Sequence, residues 1–196
     1  MKEMLIILFS AILVDNFVLS KFLGICPFLG VSKNLKTAMG MSMAVIFVMV
    51  LATAITWPVF DLLLAPYDLG YLQTVIFILV IAALVQLIET FLKKALPPLY
   101  QALGIYLPLI TTNCAILGVA ILNIDQAYGF GESMINSLGA GLGFMLALFL
   151  FSGVRSKVDH ADVPRFFKGL PITLVSAALV SIAFFGFKGL IENLFS

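Results

Sequence analysis

The segment FLGICPFLGV, from Phe22 to Val31, places a cysteine followed by a proline between two glycines inside a strongly apolar run. A similar segment, TTNCAILGVA, spans residues 111–120 in the second half of the chain. Cys26 and Cys114 are the two cysteines of the sequence, and each begins a Cys-x-x-Leu-Gly-Val motif. The shared motif indicates an internal repeat.

The composition is that of an integral membrane protein. The chain has 196 residues, of which 62% are hydrophobic and 11% charged, whereas a soluble domain carries about a quarter charged residues. The net charge of +1, without a basic run, gives no indication of nucleic-acid binding. We therefore expect a single transmembrane domain over residues 1–196, and we interpret the apolar N-terminal run as a retained first span.

Hydrophobic segments of two lengths predict six membrane spans. Four uncharged windows each have the length of one helix across a hydrocarbon core about 30 Å thick, namely 37–60, 69–88, 133–154 and 169–187. Two longer runs, Met4–Val31 and Ala95–Ile124, would each exceed about 40 Å as a straight helix. Both contain glycine, a cysteine and a proline that removes a backbone donor, Pro27 or Pro108. The prediction is an all-α protein in which spans 1 and 4 are interrupted near the cysteines.

The loop charges predict the orientation of these spans. Eight of the eleven lysines and arginines follow spans 1, 3 and 5, namely Lys33, Lys36, Lys93, Lys94, Arg155, Lys157, Arg165 and Lys168. The positive-inside rule makes those three loops cytoplasmic and places both termini outside. Trp57, Tyr67, Tyr71 and Tyr128 cluster near the opposite, outer ends of the spans, as an aromatic belt does.

The repeat divides the chain into residues 1–94 and 95–196, with three spans in each half. Gly40 and Ala44 in the first half correspond to Gly139 and Gly143 in the second, and small residues at this spacing let helices pack closely. Because three is an odd number of spans, the halves enter the membrane in opposite directions. This arrangement is an inverted repeat, which brings matching positions of the interrupted spans together near the bilayer midplane.

Three chemical roles are open for the cysteines. They can be buried inert thiols, they can form a disulfide if their α-carbons lie within about 7 Å, or they can bind a soft metal as thiolates. An iron–sulfur cluster of the [2Fe–2S] type generally takes four protein ligands. Two cysteines, with His160 in a cytoplasmic loop, do not complete such a set. If the cysteines are ligands, a second chain must supply the others.

Several segments resemble the family of the A subunit of the Rnf complex. They are DNFVLSKFLGICPFLGVSK at 15–33, LGIYLPLITTNCAILGVAILN at 103–123, ADVP at 161–164 and KGLPITLVSA at 168–177. The E subunit of the sodium-pumping NADH:quinone oxidoreductase, the Nqr complex, is similar but fits less well around Cys26. The resemblance covers nearly the whole chain.

The resemblance implies a function in redox-driven ion pumping. The Rnf complex passes electrons between reduced ferredoxin and NAD⁺ at the bacterial inner membrane and couples this transfer to export of Na⁺ or H⁺. Its A subunit and a homologous six-span partner, its E subunit, hold a [2Fe–2S] cluster in the membrane with two cysteines each. Cys26 and Cys114 match those ligand positions. The chain would then be an electron-relay subunit without an active site of its own, and it would bind no flavin or NAD.

Two alternative functions remain open. One is the equivalent subunit of the Nqr complex. The other is a small secondary transporter, because inverted repeats and broken helices are also typical of transporters. A transporter, however, has no need for paired thiols at matching positions.

A few polar residues in the interrupted spans are candidates for an ion path or for contacts around the cysteines. Asp15 lies inside span 1, where an ionisable group indicates function. Lys21 is nearly two helical turns away and is not expected to pair with it. Thr111, Thr112 and Asn113 precede Cys114 and are expected to satisfy backbone groups at the second break.

Overall fold

The computed structural model describes residues 2–32, 35–67, 70–95, 110, 113–164 and 166–195. Throughout these residues the regular secondary structure is helical, and no strand occurs among them. In this part of the chain seven α-helices follow in order: α1 Lys2–Phe9, α2 Ile25–Val31, α3 Leu35–Val59, α4 Gln73–Ala95, α5 Cys114–Asp125, α6 Phe130–Asp159 and α7 Leu170–Phe195. The all-α prediction is confirmed for the described residues.

Three of the helical stretches are long and apolar enough to cross a membrane among the described residues. They are Thr37–Leu64, Gly70–Phe91 and Phe130–Asp159, and shorter apolar helices occur at Met4–Val14, Cys114–Asp125 and Leu170–Gly186. Of the residues in the most apolar part of Phe130–Asp159, which is α6, 56% are buried. The corresponding share for Gly70–Phe91, which contains most of α4, is 17%. Helix α6 is therefore central in the bundle, and α4 lies at its periphery.

The first apolar run is interrupted, as its length and composition predict. Helix α1 continues into a π-helical turn, Ser10–Val14, which closes with an Asp15 N–H bond of 2.8 Å to the Ser10 carbonyl. The chain then leaves the helix until α2 begins at Ile25. Two residues of the connecting segment have positive φ, Phe22 at 56° and Gly24 at 81°.

The cause of this interruption differs from the one expected. Pro27 does not break the helix, because it is the third residue of α2, after the N-cap Gly24. A proline in the first turn of a helix costs no hydrogen bond, since the first N–H groups have no partner inside the helix. Pro27 is therefore compatible with α2, and the break precedes it.

Close contacts of glycines hold α6 against the first part of the chain. A β-carbon at Gly139 would lie 3.0 Å from Ala11 Cβ, and one at Gly143 would lie 3.0 Å from the Ala11 carbonyl oxygen. The predicted packing role of these two glycines is confirmed. Gly40 is the counterpart of Gly139 in the first half. In the described structure, a β-carbon at Gly40 would have no atom within 4 Å.

Aromatic side chains fix both ends of the core. Phe28 of α2 stacks on Phe151 of α6 with ring centroids 4.3 Å apart. At the other end, the Trp57 indole meets Phe130 edge to face at 5.5 Å and donates a 3.0 Å hydrogen bond to the Tyr128 carbonyl. Trp57 and Tyr128, both assigned from the sequence to the outer end of the spans, are thus in direct contact. Several other sequence assignments concern residues outside the described part of the chain, namely Lys33, Pro108 and Arg165.

Candidate functional site

Both cysteines lie in the first turn of a helix and are exposed. Cys26 is the second residue of α2, whose N-cap is Gly24, and Cys114 is the first residue of α5, whose N-cap is Asn113. Both thiols are free and exposed on the surface of the chain, and they do not form a disulfide with each other. The N-terminus of a helix favours negative charge, because unpaired N–H groups and the helix dipole point there.

A backbone hydrogen bond joins the two cysteine segments. The Gly24 N–H donates to Cys114 Sγ across a distance of 2.8 Å. Since Gly24 precedes Cys26 by two residues, the contact places the second thiol beside the segment that carries the first. The two cysteine motifs of the chain are therefore in contact in the folded structure.

Gly24 occupies a position that only a glycine fits without strain. Its φ of 81° lies in the left-handed region, which is unfavourable for a residue with a β-carbon. A β-carbon there would also lie 3.0 Å from Phe144 Cε2, 3.1 Å from Ala115 Cβ and 3.3 Å from Asn113 Oδ1. The close approach of the Gly24 backbone to Cys114 depends on this missing side chain.

Asn113 has the capping role expected for the polar residues before Cys114. Its Oδ1 accepts a 3.1 Å hydrogen bond from the Ala115 N–H, so it satisfies one of the free donors of α5. The side chain is 4% exposed, and its Nδ2 has no hydrogen-bond partner in the described structure. Thr111 and Thr112 lie outside the described residues.

Asn16 stabilises the break in the first apolar run. Its fully buried side chain donates from Nδ2 to the Gly143 carbonyl at 2.8 Å and to the Ile12 carbonyl at 3.1 Å. Its Oδ1 accepts from the N–H groups of Val18 and Leu19, at 3.1 and 3.3 Å. The Asn16 amide thus provides hydrogen-bond partners for backbone groups that lack a helical partner. Irregular backbone in a membrane requires such partners.

The break also brings Asp15 and Lys21 together, and the expectation that they would not pair was wrong. Lys21 Nζ lies 3.8 Å from Asp15 Oδ1. The expectation assumed a continuous helix, whereas the chain between these residues is turned and non-helical. The Ser10 hydroxyl donates to Asp15 Oδ2 over 3.3 Å, and the Lys21 ammonium lies 5.2 Å from the centre of the Phe17 ring.

Asp15 and Lys21 line a cavity of about 140 Å³. Its other polar lining residues are Ser10, Gln126, Tyr128 and Asn136. Burial raises the pKa of Tyr128 above its ordinary value of 10.0, and the negative charges of Asp15 and Glu132 raise it further. The phenol is therefore a neutral hydrogen-bonding group at physiological pH.

A buried polar network extends from this cavity into the bundle. Asn136 Nδ2 donates to Asn123 Oδ1 at 2.7 Å, and Asn123 Nδ2 donates to the Ser137 hydroxyl at 3.2 Å. Ser137 in turn is hydrogen-bonded to Thr53 of α3 at 2.6 Å. These four side chains are at most 7% exposed, so they form a continuous hydrogen-bonded row between α5, α6 and α3.

Arg155 links the end of α6 to the helix that carries Cys26. Its Nη1 donates to the Leu29 carbonyl at 2.6 Å and to the Ser32 hydroxyl at 2.7 Å. A cation at the C-terminus of a helix satisfies the last carbonyls and opposes the negative end of the dipole. Helix α2 is only seven residues long, so this contact helps to hold Cys26 in place.

Sequence reasoning missed three features of the site. Asn16 is a polar amide in an apolar run next to Asp15, which was a usable signal. Arg155 was read only as a cytoplasmic loop charge, although an arginine also caps helix ends. The donor role of the Gly24 N–H had no sequence signal, because it depends on a contact between residues 90 positions apart.

The described residues contain no group of three or more His, Cys, Asp and Glu side chains placed to hold a metal ion. What the site offers is two exposed thiols on adjoining segments, with a backbone N–H already directed at one sulfur. Thiolates with N–H donors are the usual surroundings of an iron–sulfur cluster. These residues fit half of such a ligand set.

Comparison with known proteins gives a consistent relationship over nearly the whole length. The family model "Rnf-Nqr subunit, membrane protein" matches residues 4–191. The chain is 59% identical over 187 residues to the A subunit of the Na⁺-translocating ferredoxin:NAD⁺ oxidoreductase complex of Acetobacterium woodii, covering 95% of this chain and 97% of that protein. It is 56% identical over 193 residues to the A subunit of the ion-translocating oxidoreductase complex of Syntrophotalea carbinolica, covering 98% of this chain and all of that protein.

Proposed function

The chain belongs to the Rnf-Nqr family of membrane subunits, and on that premise we propose that it is the A subunit of an ion-translocating ferredoxin:NAD⁺ oxidoreductase complex. Within that complex it serves as an electron-relay subunit without an active site of its own. Its relatives carry the names of such complexes, which favours this assignment over the Nqr complex and over a small secondary transporter. The transported ion is Na⁺ or H⁺.

One observation carries the proposal: the exposed thiols of Cys26 and Cys114 lie on adjoining segments joined by the Gly24 N–H contact to Cys114. Two thiols are half of the four ligands that a [2Fe–2S] cluster takes. A homologous six-span partner, similar to the E subunit of the Rnf complex, supplies the other two. A cysteine that shares a cluster with a second chain must be exposed on the surface of its own chain.

The residues around the thiols have defined tasks in this function. A bound [2Fe–2S] cluster supplies reversible one-electron transfer. The helix starts of α2 and α5 favour the negative charge of the two thiolates. The Gly24 N–H donates to the Cys114 sulfur, and such bonds tune the potential of a thiolate-bound centre. Asn113 orients the first turn of α5 through its cap.

We propose the finer topology on the same basis. Residues 1–94 and 95–196 form two inverted three-span repeats in the bacterial inner membrane, with both termini outside and the loops after spans 1, 3 and 5 in the cytoplasm. Contact between the two cysteine motifs supports the repeat. Contact between Trp57 and Tyr128 supports a common outer end for the loops that follow spans 2 and 4.

The ion path in this proposal runs along the interrupted spans. Asp15 is the ionisable residue at the first break, and Thr111, Thr112 and Asn113 flank the second. The cavity beside Asp15 and the hydrogen-bonded row from Asn136 to Thr53 support a polar route through an otherwise apolar bundle. Electron transfer at the thiols is coupled to ion movement because added negative charge in a low-dielectric medium attracts a cation.

The proposal is tested in the assembled complex with the variants Cys26→Ser and Cys114→Ser. We expect each variant to lose the EPR signal of the membrane [2Fe–2S] cluster and ferredoxin-dependent NAD⁺ reduction, because serine does not replace a thiolate at these positions. Ser156→Ala, at the exposed end of α6, is the control and should leave both unchanged. Cysteine variants that keep the signal and the activity would show that the thiols are not ligands.

A further inference from the structure

The cavity that contains Asp15 and Lys21 has the chemistry of a cation site. Its polar lining consists of a carboxylate, two hydroxyl groups and two side-chain amides, with Lys21 as the positively charged group among the residues that line it. Oxygen ligands of this kind suit small hard cations rather than soft metals. Since about 10–15 Å³ is enough for one water molecule, the volume of about 140 Å³ holds a cation with part of its hydration shell.

The ion pair in this cavity is loose and accessible. The Asp15 to Lys21 distance of 3.8 Å is longer than the 2.7–2.9 Å of a direct charge-assisted hydrogen bond. The Ser10 bond to the other carboxylate oxygen, at 3.3 Å, is also long. The side chain of Asp15 is 48% exposed and that of Lys21 is 26% exposed. The carboxylate therefore has free coordination sites that face the cavity.

Lys21 makes a second contact besides the carboxylate, at the same position of its ammonium group. Its ammonium lies 5.2 Å from the centre of the Phe17 ring, within the range of a cation–π contact. The four methylene groups of lysine make its side chain flexible. The ammonium is therefore held by a ring contact as well as by the carboxylate, and a flexible side chain lets it move away from Asp15.

From these observations we propose that the cavity is a binding site for a small monovalent cation of the Na⁺ class, ligated by Asp15, and that Lys21 is a tethered competitor for the same carboxylate. The Asn136–Asn123–Ser137–Thr53 row leads from this site into the bundle. This inference rests on the proposed function and deepens it, since it selects Na⁺ from the two transported ions, Na⁺ and H⁺, that the proposed function leaves open.

Equilibrium binding of ²²Na⁺ to the purified complex in lipid nanodiscs tests the proposal. Lys21→Gln removes the competitor, and we expect it to lower the Kd of one Na⁺ site about fivefold, the factor that corresponds to the loss of one solvent-accessible ion pair. Lys21→Arg keeps the charge and should retain the wild-type Kd. Asp15→Asn should abolish that site.

Two controls match these changes in charge. Lys157→Gln removes one positive charge from the exposed end of α6, and Asp61→Asn removes one negative charge from the exposed π-turn after α3. Both variants should bind Na⁺ with the wild-type Kd. If Lys21→Gln leaves the Kd unchanged or raises it, or if an assembled Asp15→Asn complex still binds Na⁺ as the wild type does, the proposal is wrong.

The same preparations separate this inference from the proposed function. The EPR signal of the membrane cluster is recorded on each complex before the Na⁺ titration. A wild-type complex without the signal would contradict the proposed function whatever its Na⁺ binding. A complex with the signal, in which the Lys21 and Asp15 variants bind Na⁺ as the wild type does, would contradict only the cation site.

Discussion

At the scale of single residues, Asn16 and Gly24 determine the geometry of the site. Asn16 makes four hydrogen bonds, two to the non-helical backbone at Val18 and Leu19 and two to the Ile12 and Gly143 carbonyls of the neighbouring helical turns. Gly24 supplies an N–H to Cys114 Sγ from a left-handed conformation. Neither residue has a reactive side chain, yet both stabilise the backbone conformation of the segment that leads to Cys26.

Replacing Gly24 by alanine tests this view. Alanine would strain the backbone at φ 81° by about 1–2 kcal/mol, and its methyl group would press on Phe144 and Ala115. We expect a lower thermal unfolding temperature of the purified chain and loss of the contact between its N–H and Cys114.

The matched control is Gly153→Ala, because a β-carbon at Gly153 meets no atom within 4 Å. Alanine is a better helix former than glycine by about 1 kcal/mol, so this variant should be as stable as the wild type or slightly more so. Equal unfolding temperatures for the Gly24 and Gly153 variants would argue against a special role of Gly24.

At the scale of helices, the two halves of the chain use equivalent glycines differently. Gly139 and Gly143 of α6 face the backbone of the first apolar run, and the Gly143 carbonyl accepts from Asn16. Gly40 of α3 faces open space in the described structure. Glycines that the sequence comparison aligns therefore do not pack alike, because α6 is central and α3 presents part of its surface outward.

This asymmetry predicts opposite effects of the same substitution. Gly139→Ala, at the position that matches Gly40, would place a methyl group 3.0 Å from Ala11 Cβ and 3.1 Å from the Leu8 carbonyl oxygen. Overpacking of this kind costs about 1–3 kcal/mol, so thermal unfolding of the purified chain should occur at a lower temperature. Gly40→Ala should leave the unfolding temperature unchanged or raise it slightly; a comparable loss for both variants would contradict the asymmetry.

The sequence predicts the helical class and the first interruption from hydrophobic length alone, since a 28-residue apolar run is too long for one upright span. It also indicates the cysteine pair, because matching motifs in a repeat lie at matching positions. The cause of the break was assigned wrongly to Pro27, since proline is compatible with the first turn of a helix. The Asp15–Lys21 pair was missed because sequence spacing is informative only while the helix is continuous.

At the scale of the whole molecule, the exposed surface of the chain is typical of a membrane subunit that contacts other proteins. Its described residues present two free thiols and many large apolar side chains on outward faces, among them Met43, Phe47 and Leu79. Such a surface is expected to be covered by lipid or by other proteins of the complex. The central claim is that the thiol pair becomes a cluster site only with the thiols of a homologous partner.

Iron content, measured on the chain purified alone and on the chain co-purified with its six-span partner, tests this claim most directly. We predict two iron atoms per pair, the number in one [2Fe–2S] cluster, none in the chain alone, and none in a pair that carries Cys114→Ser. Iron bound equally well by the chain alone, or retained by the Cys114→Ser pair, would contradict a shared site formed by Cys26 and Cys114.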